Sequence, residues 1–258
     1  MTVYEKLLQI KRDKGAGYLV LIDPDRLATE EILRRVGLMA ELGVDALLIG
    51  GSLLFTSDFN ALVKGVKEKA KVPTIIFPGS TKQISRHADA IFFLSLVSGR
   101  NPTYLIGEQV VAAPIIKDMG IEPIPTGYIL IESGKKTTVE FMSNTQPIPR
   151  DKPEIVKAHA LAAQYLGMKL VYLEGGSGAK HSVPEEVIRA VCDYVSIPIV
   201  VGGGIKTPEV AHKKVQAGAS FVVIGTALER EKNIHLMQDF SDAIHLRKVA
   251  SAASTNFL

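Results

Sequence analysis

The sequence predicts an α/β protein of one domain, a TIM (β/α)8 barrel that is modified by a stunted third helix. The main observation is an alternation of eight short apolar runs with longer stretches of helical periodicity. Strands that alternate with helices pair in parallel through right-handed crossovers, and eight such strands close most economically into a barrel. The length of 258 residues also matches one such barrel, and no linker divides the chain.

The first four strand–helix units occupy the first half of the chain. The first long helix begins with Thr29 and carries Ile32 and Val36 at helical spacing. The third helical segment, at 82–87, is short, so the third helix is expected to be stunted. The four units are predicted at 18–22 with 29–42, 46–49 with 59–70, 74–77 with 82–87, and 90–94 with 104–119.

The last four units follow in the second half. They are predicted at 122–131 with 152–166, 169–173 with 184–194, 197–201 with 208–216, and 221–224 with 230–245. The polar stretch 133–150 interrupts the fifth unit as a lid or a hairpin, and it serves either the site or a subunit contact. The barrel domain is therefore assigned to 1–248, and the Ala- and Ser-rich residues 249–258 are expected to be a disordered tail.

Composition excludes several classes of protein. The net charge of +3 arises from 30 basic and 27 acidic residues spread along the chain, with no basic run of the kind that binds nucleic acid. The start of the chain is charged and polar, and no apolar stretch approaches the roughly 20 residues that span a bilayer. These observations predict a soluble, cytoplasmic protein.

Sulfur and imidazole chemistry are not expected. Cys192 is the single cysteine, which excludes an internal disulfide, and its apolar neighbours predict a core or surface thiol. The six histidines share no metal-ligand spacing and are interpreted as surface or structural residues. The chain has no G-x-S-x-G, no Walker loop and no G-x-G-x-x-G after its first strand, which argues against an esterase, a P-loop NTPase and a Rossmann dehydrogenase.

Three glycine-bearing turns follow predicted strands in the second half of the chain. They are Glu174-Gly-Gly-Ser-Gly178, Gly202-Gly-Gly204 and Gly225-Thr226. Glycine lets backbone N–H groups approach a phosphate closely, and the N-terminus of a following helix adds partial positive charge. Two of the turns end the seventh and eighth strands, the usual phosphate-binding position of this barrel. A small phosphorylated substrate is therefore predicted.

The first two strands end in residues that suit a hard divalent cation. Asp23-Pro-Asp25 places two carboxylates one residue apart, and Gly50-Gly-Ser52 adds a hydroxyl at the same end of the barrel. A carboxylate and a hydroxyl make a sparse Mg2+ site that substrate phosphates complete. The alternative for Asp23-Pro-Asp25 is an Asx turn that caps the next helix.

Three charged side chains near other strand ends have two interpretations each. Arg100 offers a fork suited to phosphate oxygens, or it faces solvent ahead of a helix. Glu174 precedes a glycine turn, where a carboxylate binds anions poorly but can hydrogen-bond to or deprotonate a substrate hydroxyl; the alternative is a role without chemistry. Lys206 is a phosphate contact or part of the exposed first turn of a helix, and the second interpretation is favoured.

Six motifs, taken in order and spacing, resemble those of the geranylgeranylglyceryl phosphate synthase family (the GGGP/HepGP synthase family). They are IDPD at 22–25, IGGS at 49–52, SGRNP at 98–102, YLEGGSGA at 172–179, VGGGI at 201–205 and IGTA at 224–227. VGGGI and IGTA recur in many phosphate-binding barrels, whereas YLEGGSGA together with IDPD and SGRNP is specific. The resemblance implies a Mg2+-dependent prenyltransferase of archaeal-type ether lipid biosynthesis, which joins the C3 hydroxyl of sn-glycerol 1-phosphate to a polyprenyl diphosphate.

The resemblance also implies roles for individual residues. Asp23 and Ser52 would hold Mg2+ on the diphosphate, and Glu174 would orient or deprotonate the C3 hydroxyl. The residues that would bind glycerol 1-phosphate are Tyr172, Leu173, Glu174, Gly175, Gly176, Ser177, Gly178, Gly203, Gly204, Gly225 and Thr226. Since family members include dimers and hexamers, a homo-oligomer is expected. The sequence leaves open whether the protein contacts a membrane transiently to collect its apolar substrate.

A polyprenyl tail needs a long apolar groove, and the fourth and fifth units offer candidates for its walls. These are Phe92, Leu94, Tyr104, Leu105 and Ile129. Tyr104 matches an aromatic position that resembles the family's limit on chain length. The alternative is that these side chains only pack helices onto strands, as apolar residues do in every barrel.

Two rival functions remain at this point. One is a phosphosugar isomerase or synthase of histidine or tryptophan type, which shares the phosphate loops at the seventh and eighth strands. The other is a noncatalytic phosphate-binding barrel that serves as a scaffold. The scaffold leaves Asp23 and Glu174 without a chemical purpose, and the isomerase has no use for an apolar groove.

Overall fold

Eight parallel strands close into a barrel in the computed structural model of the chain, which describes residues 1–55, 58–228 and 236–247. Each strand pairs with the next along the chain, and the last pairs with the first, so the TIM barrel is confirmed. The strands are β1 (Gly17–Ile22), β2 (Ala46–Ile49), β3 (Thr74–Ile76), β4 (Ala90–Leu96), β5 (Glu122–Leu130), β6 (Leu170–Glu174), β7 (Ile199–Gly202) and β8 (Phe221–Ile224).

The helices of the described residues surround the barrel and close one of its ends. They are α1 (Val3–Lys14), α2 (Thr29–Met39), α3 (Phe59–Lys69), α4 (Glu108–Met119), α5 (Thr138–Ser143), α6 (Pro153–Tyr165), α7 (Glu185–Cys192), α8 (Pro208–Gln216) and α9 (Leu236–Ile244). A π-helix at Thr103–Gly107 precedes α4, and a 3-10 turn at Thr226–Leu228 follows β8. The predicted start of the last helix at 230–235 and the predicted tail at 249–258 lie outside the described residues, so the domain assignment stays a prediction.

The helix expected at 82–87 is absent from the structure, which has only turns and bends between β3 and β4. Polar side chains hold this segment to its neighbours instead. The amide of Gln83 pairs with the backbone of Gly51, donating to its carbonyl at 2.8 Å and accepting from its N–H at 3.1 Å. Ser85 donates to Asn60 at 2.7 Å. Such side-chain hydrogen bonds compete with the backbone bonds of a helix. The layer of helices around the barrel therefore has a gap between β3 and β4.

Helix α1, which the sequence did not predict, covers the N-terminal end of the barrel. Its residues Val3 and Leu7 are buried in the same cluster as Phe221 of the barrel interior. The backbone N–H groups of Val3 and Tyr4 donate to the carboxylate of Glu122, at the start of β5, at 2.5 and 3.0 Å. With that end covered, the opening of the barrel in the described residues lies at the C-terminal ends of its strands.

The polar excursion after β5 is not a β-hairpin. Ile131 and Ile148 form a single parallel bridge, and the chain between them contains the short helix α5. Cys192, at the end of α7, is exposed and free, so the surface alternative for this thiol is the correct one.

Candidate active site

One large cavity lies at the C-terminal ends of the strands, with a volume of about 750 Å³. Parallel strands direct all of their C-terminal ends to the same rim, which brings together residues that are far apart in sequence. Asp23 follows β1, Ser52 follows β2, Glu174 ends β6, Gly203 follows β7 and Gly225 follows β8, and all five line the cavity.

Glu174 is buried at the base of this cavity. Its Oε1 accepts the N–H of Gly176 at 2.5 Å, and the hydroxyls of Tyr128 and Tyr172 interact with the same carboxylate. Burial raises the pKa of Glu174 to about 7, against the three hydrogen-bond donors, which lower it. A carboxyl group with this pKa can take up and release a proton near neutral pH.

Tyr128 is a site residue that sequence reasoning missed. It lies in β5 directly opposite Tyr172 of β6, and its hydroxyl reaches Glu174. Burial is the main cause that raises the pKa of both tyrosines well above its usual value, so both remain hydrogen-bond donors. No signal in the sequence alone points to Tyr128, because its place beside Glu174 depends on the register of the two strands, which makes residues opposite each other neighbours in space.

The glycine turns after β7 and β8 form a cradle for an anion. Gly203 and Gly204 have φ angles of +82° and +70°, in the left-handed region that favours glycine. The N–H groups of Gly203, Gly204 and Gly225 donate to no other group in the part of the chain that the structure describes. Successive backbone N–H groups in such turns make a concave site that binds anions.

The motif after β6 contributes to the cavity only in part. Ser177 and Gly178 line the cavity, and the Ser177 hydroxyl lies 3.4 Å from that of Thr226. The predicted contact at Gly175 is not supported, because its N–H donates to the carbonyl of Gly202 at 3.0 Å. The N–H of Gly176 is likewise committed to Glu174.

Leu173 does not face the cavity, which corrects a second predicted contact. Alternate residues of a strand point to opposite faces. Tyr172 and Glu174 therefore face the barrel interior, and Leu173 packs in the layer between the strands and the helices. Leu173 shapes the site only through its backbone.

Asp23 and Ser52 lie on the same wall of the cavity. The Asp23 carboxylate accepts the N–H of Asp25 at 3.1 Å, as in an Asx turn, and lies 3.4 Å from Nε of Arg26. This turn does not cap the next helix, because the N-cap of α2 is Ala28 and has no side-chain hydrogen bond. Asp25 accepts the N–H of Phe55 at 2.8 Å and so holds the loop after β2. Among the described residues, no group of three or more His, Cys, Asp and Glu side chains could hold a metal ion. A cation here would need most of its ligands from substrate and water.

Two predicted cationic contacts are placed differently from expectation. Lys206 precedes Thr207, the N-cap of α8, so it is not in the first helical turn, and it lines the cavity near the glycine cradle. Arg100 is exposed and points away from the cavity. Its guanidinium donates to the carbonyl of Gly99 at 2.8 Å and lies 3.4 Å from Nε2 of His159. Arg100 therefore does not line the cavity in this structure, and its contact with phosphate stays a prediction.

An apolar groove of about 120 Å³ opens where the barrel lacks its third helix. Three predicted wall residues, Phe92, Leu94 and Tyr104, line it. Leu105 and Ile129 do not, because Ile129 faces the surrounding helices and Leu105 turns away from the groove. The groove is continuous with the polar cavity, and the residues that line both are Gly51, Ser52, Phe77, Tyr128 and Val139.

The excursion after β5 contributes to both spaces. Val139 of α5 lines the cavity and the groove, and Met142 lines the groove. The hydroxyl of Tyr104 donates to the carbonyl of Met142 at 3.1 Å, which joins the π-helix to α5. The excursion therefore forms part of the wall of both the cavity and the groove, and its role as a lid stays a prediction.

The chain is similar to one family of known proteins over nearly its whole length. The pattern of the PcrB family matches residues 8–244. Geranylgeranylglyceryl phosphate synthase of Pyrococcus horikoshii is 45% identical over 241 residues, covering 93% of this chain and 94% of the relative. The enzyme of the same name from Chitinophaga pinensis is 42% identical over 243 residues, covering 94% of this chain and 96% of the relative.

Solved structures agree with this similarity. The crystal structure of (S)-3-O-geranylgeranylglyceryl phosphate synthase from Thermoplasma acidophilum, in complex with its substrate sn-glycerol-1-phosphate, superposes with a TM-score of 0.90 at 39% identity, covering 95% of this chain and 99% of that one. Tryptophan synthase from M. tuberculosis superposes with a TM-score of 0.61 at 13% identity, which shows a shared fold alone. In the described ranges, no helix has the length and apolar character needed to cross a membrane.

Proposed function

The chain belongs to the PcrB family, and on that premise we propose that it is a prenyltransferase of the geranylgeranylglyceryl phosphate synthase type. It joins the C3 hydroxyl of sn-glycerol 1-phosphate to a polyprenyl diphosphate, for which geranylgeranyl diphosphate is the first choice. The observation that carries the proposal is the continuity of two unlike spaces, a polar cavity with Glu174 and free N–H groups and an apolar groove that opens into it.

The polar cavity suits glycerol 1-phosphate. The N–H groups of Gly203, Gly204 and Gly225 and the hydroxyls of Ser177 and Thr226 provide donors for a phosphate. The glycerol then extends from this cradle towards Glu174. The similar enzyme from Thermoplasma acidophilum was crystallised with sn-glycerol-1-phosphate, which supports the same acceptor here.

The donor set at β1 and β2 fits Mg2+. Asp23 and Ser52 offer oxygen atoms only, as this cation prefers, and leave most of its coordination to diphosphate oxygens and water. When bound, the ion neutralises charge on the diphosphate and so favours its departure. Arg26 and Lys206 line the same cavity and add positive charge, Arg26 beside Asp23 and Lys206 near the glycine cradle.

The reaction is a substitution at the allylic C1 of the prenyl donor. The bond from C1 to the diphosphate oxygen breaks, and its electron pair leaves with the diphosphate. The C3 hydroxyl oxygen supplies the pair for the new C–O bond, and its proton passes to the Glu174 carboxylate, which later releases it to water. A pKa of about 7 suits this acceptor role, since half of the groups are ionised at neutral pH.

The assembly and the location belong to the proposal as well. The outer face of α4 and the preceding π-helix expose Ile106, Val110 and Val111, each more than half accessible. Such a face supports a second copy of the chain as its partner, because exposed apolar patches are costly on a monomer. We place the homo-oligomer in the cytoplasm, with transient contact to a membrane and no nucleic-acid partner.

The test is a Mg2+-dependent assay with labelled glycerol 1-phosphate and a series of prenyl diphosphates from geranyl to longer than geranylgeranyl. We expect transfer of the label into organic solvent, with a maximum at one chain length. If glycerol 1-phosphate binds tightly and no donor is used, the proposal is wrong and the phosphosugar barrels become the better interpretation.

A further inference from the structure

Two aromatic side chains, Phe77 and Tyr128, line both the polar cavity and the apolar groove. Their ring centroids lie 6.0 Å apart, and both rings pack against Tyr172, at 5.1 Å from Phe77 and 5.4 Å from Tyr128. Phe92 contacts Phe77 edge-on at 6.2 Å. All four side chains are buried, so each ring is held in place by its neighbours.

The position of the reacting carbon follows from the two spaces. A prenyl diphosphate that has its diphosphate near Asp23 and its chain in the groove must have C1 at their junction. The acceptor hydroxyl approaches from the side of Glu174, whose carboxylate interacts with the hydroxyl of Tyr128. The junction is therefore where positive charge develops on C1 as the diphosphate departs.

No charged residue is among the described residues that line both spaces. The described residues that line both spaces are Gly51, Ser52, Val139 and the two aromatic residues Phe77 and Tyr128. The faces of aromatic rings attract a cation within about 6 Å, more strongly when water is excluded. A ring also presents no lone pair that would capture the carbon in place of the glycerol oxygen.

We propose that the rings of Phe77 and Tyr128 are catalytic groups that stabilise the developing allylic cation of the prenyl donor. This inference rests on the proposed function and deepens it. It assigns Phe77, which follows β3 in the gap left by the missing helix, a part in the chemistry beyond lining the groove. It also gives Tyr128 two separable parts, since the side chain lines the junction and its hydroxyl acts on the Glu174 carboxylate.

The first test changes the electron density of one ring with little change of its size. Phe77 is replaced by phenylalanines that carry one, two and three ring fluorines, and single-turnover rates are measured with geranylgeranyl diphosphate. We expect the rate to fall with each fluorine, by about tenfold in total, because the ring face becomes less negative. The Kd of glycerol 1-phosphate is expected to stay constant.

The second test separates the ring of Tyr128 from its hydroxyl. Tyr128→Leu should lower the single-turnover rate about tenfold or more. Tyr128→Phe keeps the ring and should mainly move the pH profile to higher pH. The Tyr128 hydroxyl lowers the pKa of Glu174, so its removal raises that pKa. Phe221→Leu is the packing control, since Phe221 is buried in the barrel interior beside Gly17 at the opposite end. It should lower stability and leave the rate within about twofold.

Three results would overturn the inference. One is a rate that is independent of ring fluorination, and another is a Tyr128→Leu enzyme no slower than Phe221→Leu. The third is an effect confined to the KM of the prenyl diphosphate, because the rings would then only hold the chain. Failure of the proposed function looks different, since the unmodified enzyme itself would form no ether product.

Discussion

A Cβ atom at position 203 would lie 2.3 Å from Oε1 of Glu174, so the carboxylate occupies space that only a glycine leaves open. The same hypothetical atom would lie 2.5 Å from the backbone nitrogen of Gly176, which donates to that carboxylate. Glu174 and the glycine turn after β7 are therefore built as one unit, in which a side chain on the turn displaces the carboxylate.

Gly203→Ala is expected to abolish most of the activity. The methyl group forces the Glu174 carboxylate out of place, and an alanine at a φ of +82° strains the backbone by about 1–3 kcal/mol. We expect kcat to fall by roughly 100-fold or more, as for the loss of a general base. Gly167→Ala is the matched control, because Gly167 has a φ of +85° and nothing within 4 Å of its Cβ position. It should carry the same backbone strain without the steric clash and keep its activity, and an equally inactive control would contradict the argument.

The sequence predicted the fold and most of the rim residues because both follow from periodicity. Apolar runs fix the strands, and the residue after each strand must lie at the same end of the barrel. The direction of a side chain is not fixed in this way. Arg100 turns away to His159, and the N–H groups of Gly175 and Gly176 are used inside the protein.

Other features depend on contacts between distant segments. Tyr128 acquires its role only through its register with Tyr172. Helix α1 carries mostly charged and polar residues, and its cover over the barrel depends on Val3, Leu7 and the distant carboxylate of Glu122. The groove exists because Gln83 pairs with Gly51 in place of a helix. None of these tertiary pairings leaves a periodic signal in a single sequence.

The rate should depend on pH through Glu174. Burial raises its pKa to about 7, so the basic form is lost below neutral pH. We expect kcat/KM to rise about tenfold per pH unit below 7 and to level off above it. Glu174→Gln should lower kcat by about 10²- to 10⁴-fold and remove this limb of the profile. A Gln variant with the wild-type kcat would exclude Glu174 as the base.

Stability should depend on pH through the same group, in the opposite direction. Below about pH 4.5 Glu174 is protonated in both the folded and the unfolded chain, so its raised pKa does not change the free energy of unfolding. As the pH rises towards 7 the unfolded chain releases the proton first, so the free energy of unfolding falls, by about 3 kcal/mol in all. Glu174→Gln lacks this loss. In urea unfolding, the free energy of unfolding of the variant relative to the wild type should be higher at pH 8 than at pH 5. An equal difference at both pH values would contradict the raised pKa.

Asp23→Asn should weaken the dependence of the reaction on Mg2+. The amide keeps the size of the side chain but removes the charge that favours a hard cation. We expect the Mg2+ concentration for half-maximal rate to rise about tenfold or more, and kcat/KM for the prenyl diphosphate to fall with it. Calorimetry with glycerol 1-phosphate provides the control, because the cradle at Gly203 lies after a different strand. An unchanged Mg2+ response would remove Asp23 from the metal site.

The chain length of the donor should be set at the π-helix. Tyr104 lines the groove from this helix, and side chains from outside hold the backbone around it. Nε2 of Gln109 donates to the carbonyls of Leu94 and Tyr104 at 2.5 and 3.0 Å, and the Ser95 hydroxyl donates to that of Leu105 at 2.7 Å. The bonds to Tyr104 and Leu105 satisfy carbonyls whose pairing differs from that of an α-helix, and the bond to Leu94 ties α4 to β4. Such local irregularities often mark functional sites.

Tyr104→Ala should therefore admit longer prenyl chains, because it opens the wall directly. Gln109→Leu should shift the product distribution in the same direction by a smaller amount, since it frees the backbone that places Tyr104. Tyr104→Phe keeps the ring and loses only the hydrogen bond to Met142, so it should retain the wild-type preference. Products are compared by mass spectrometry after competition between donors of different length. If Tyr104→Ala keeps the wild-type distribution, the groove is limited elsewhere. If only Gln109→Leu does so, the ring limits the chain without help from the bonds that hold its backbone.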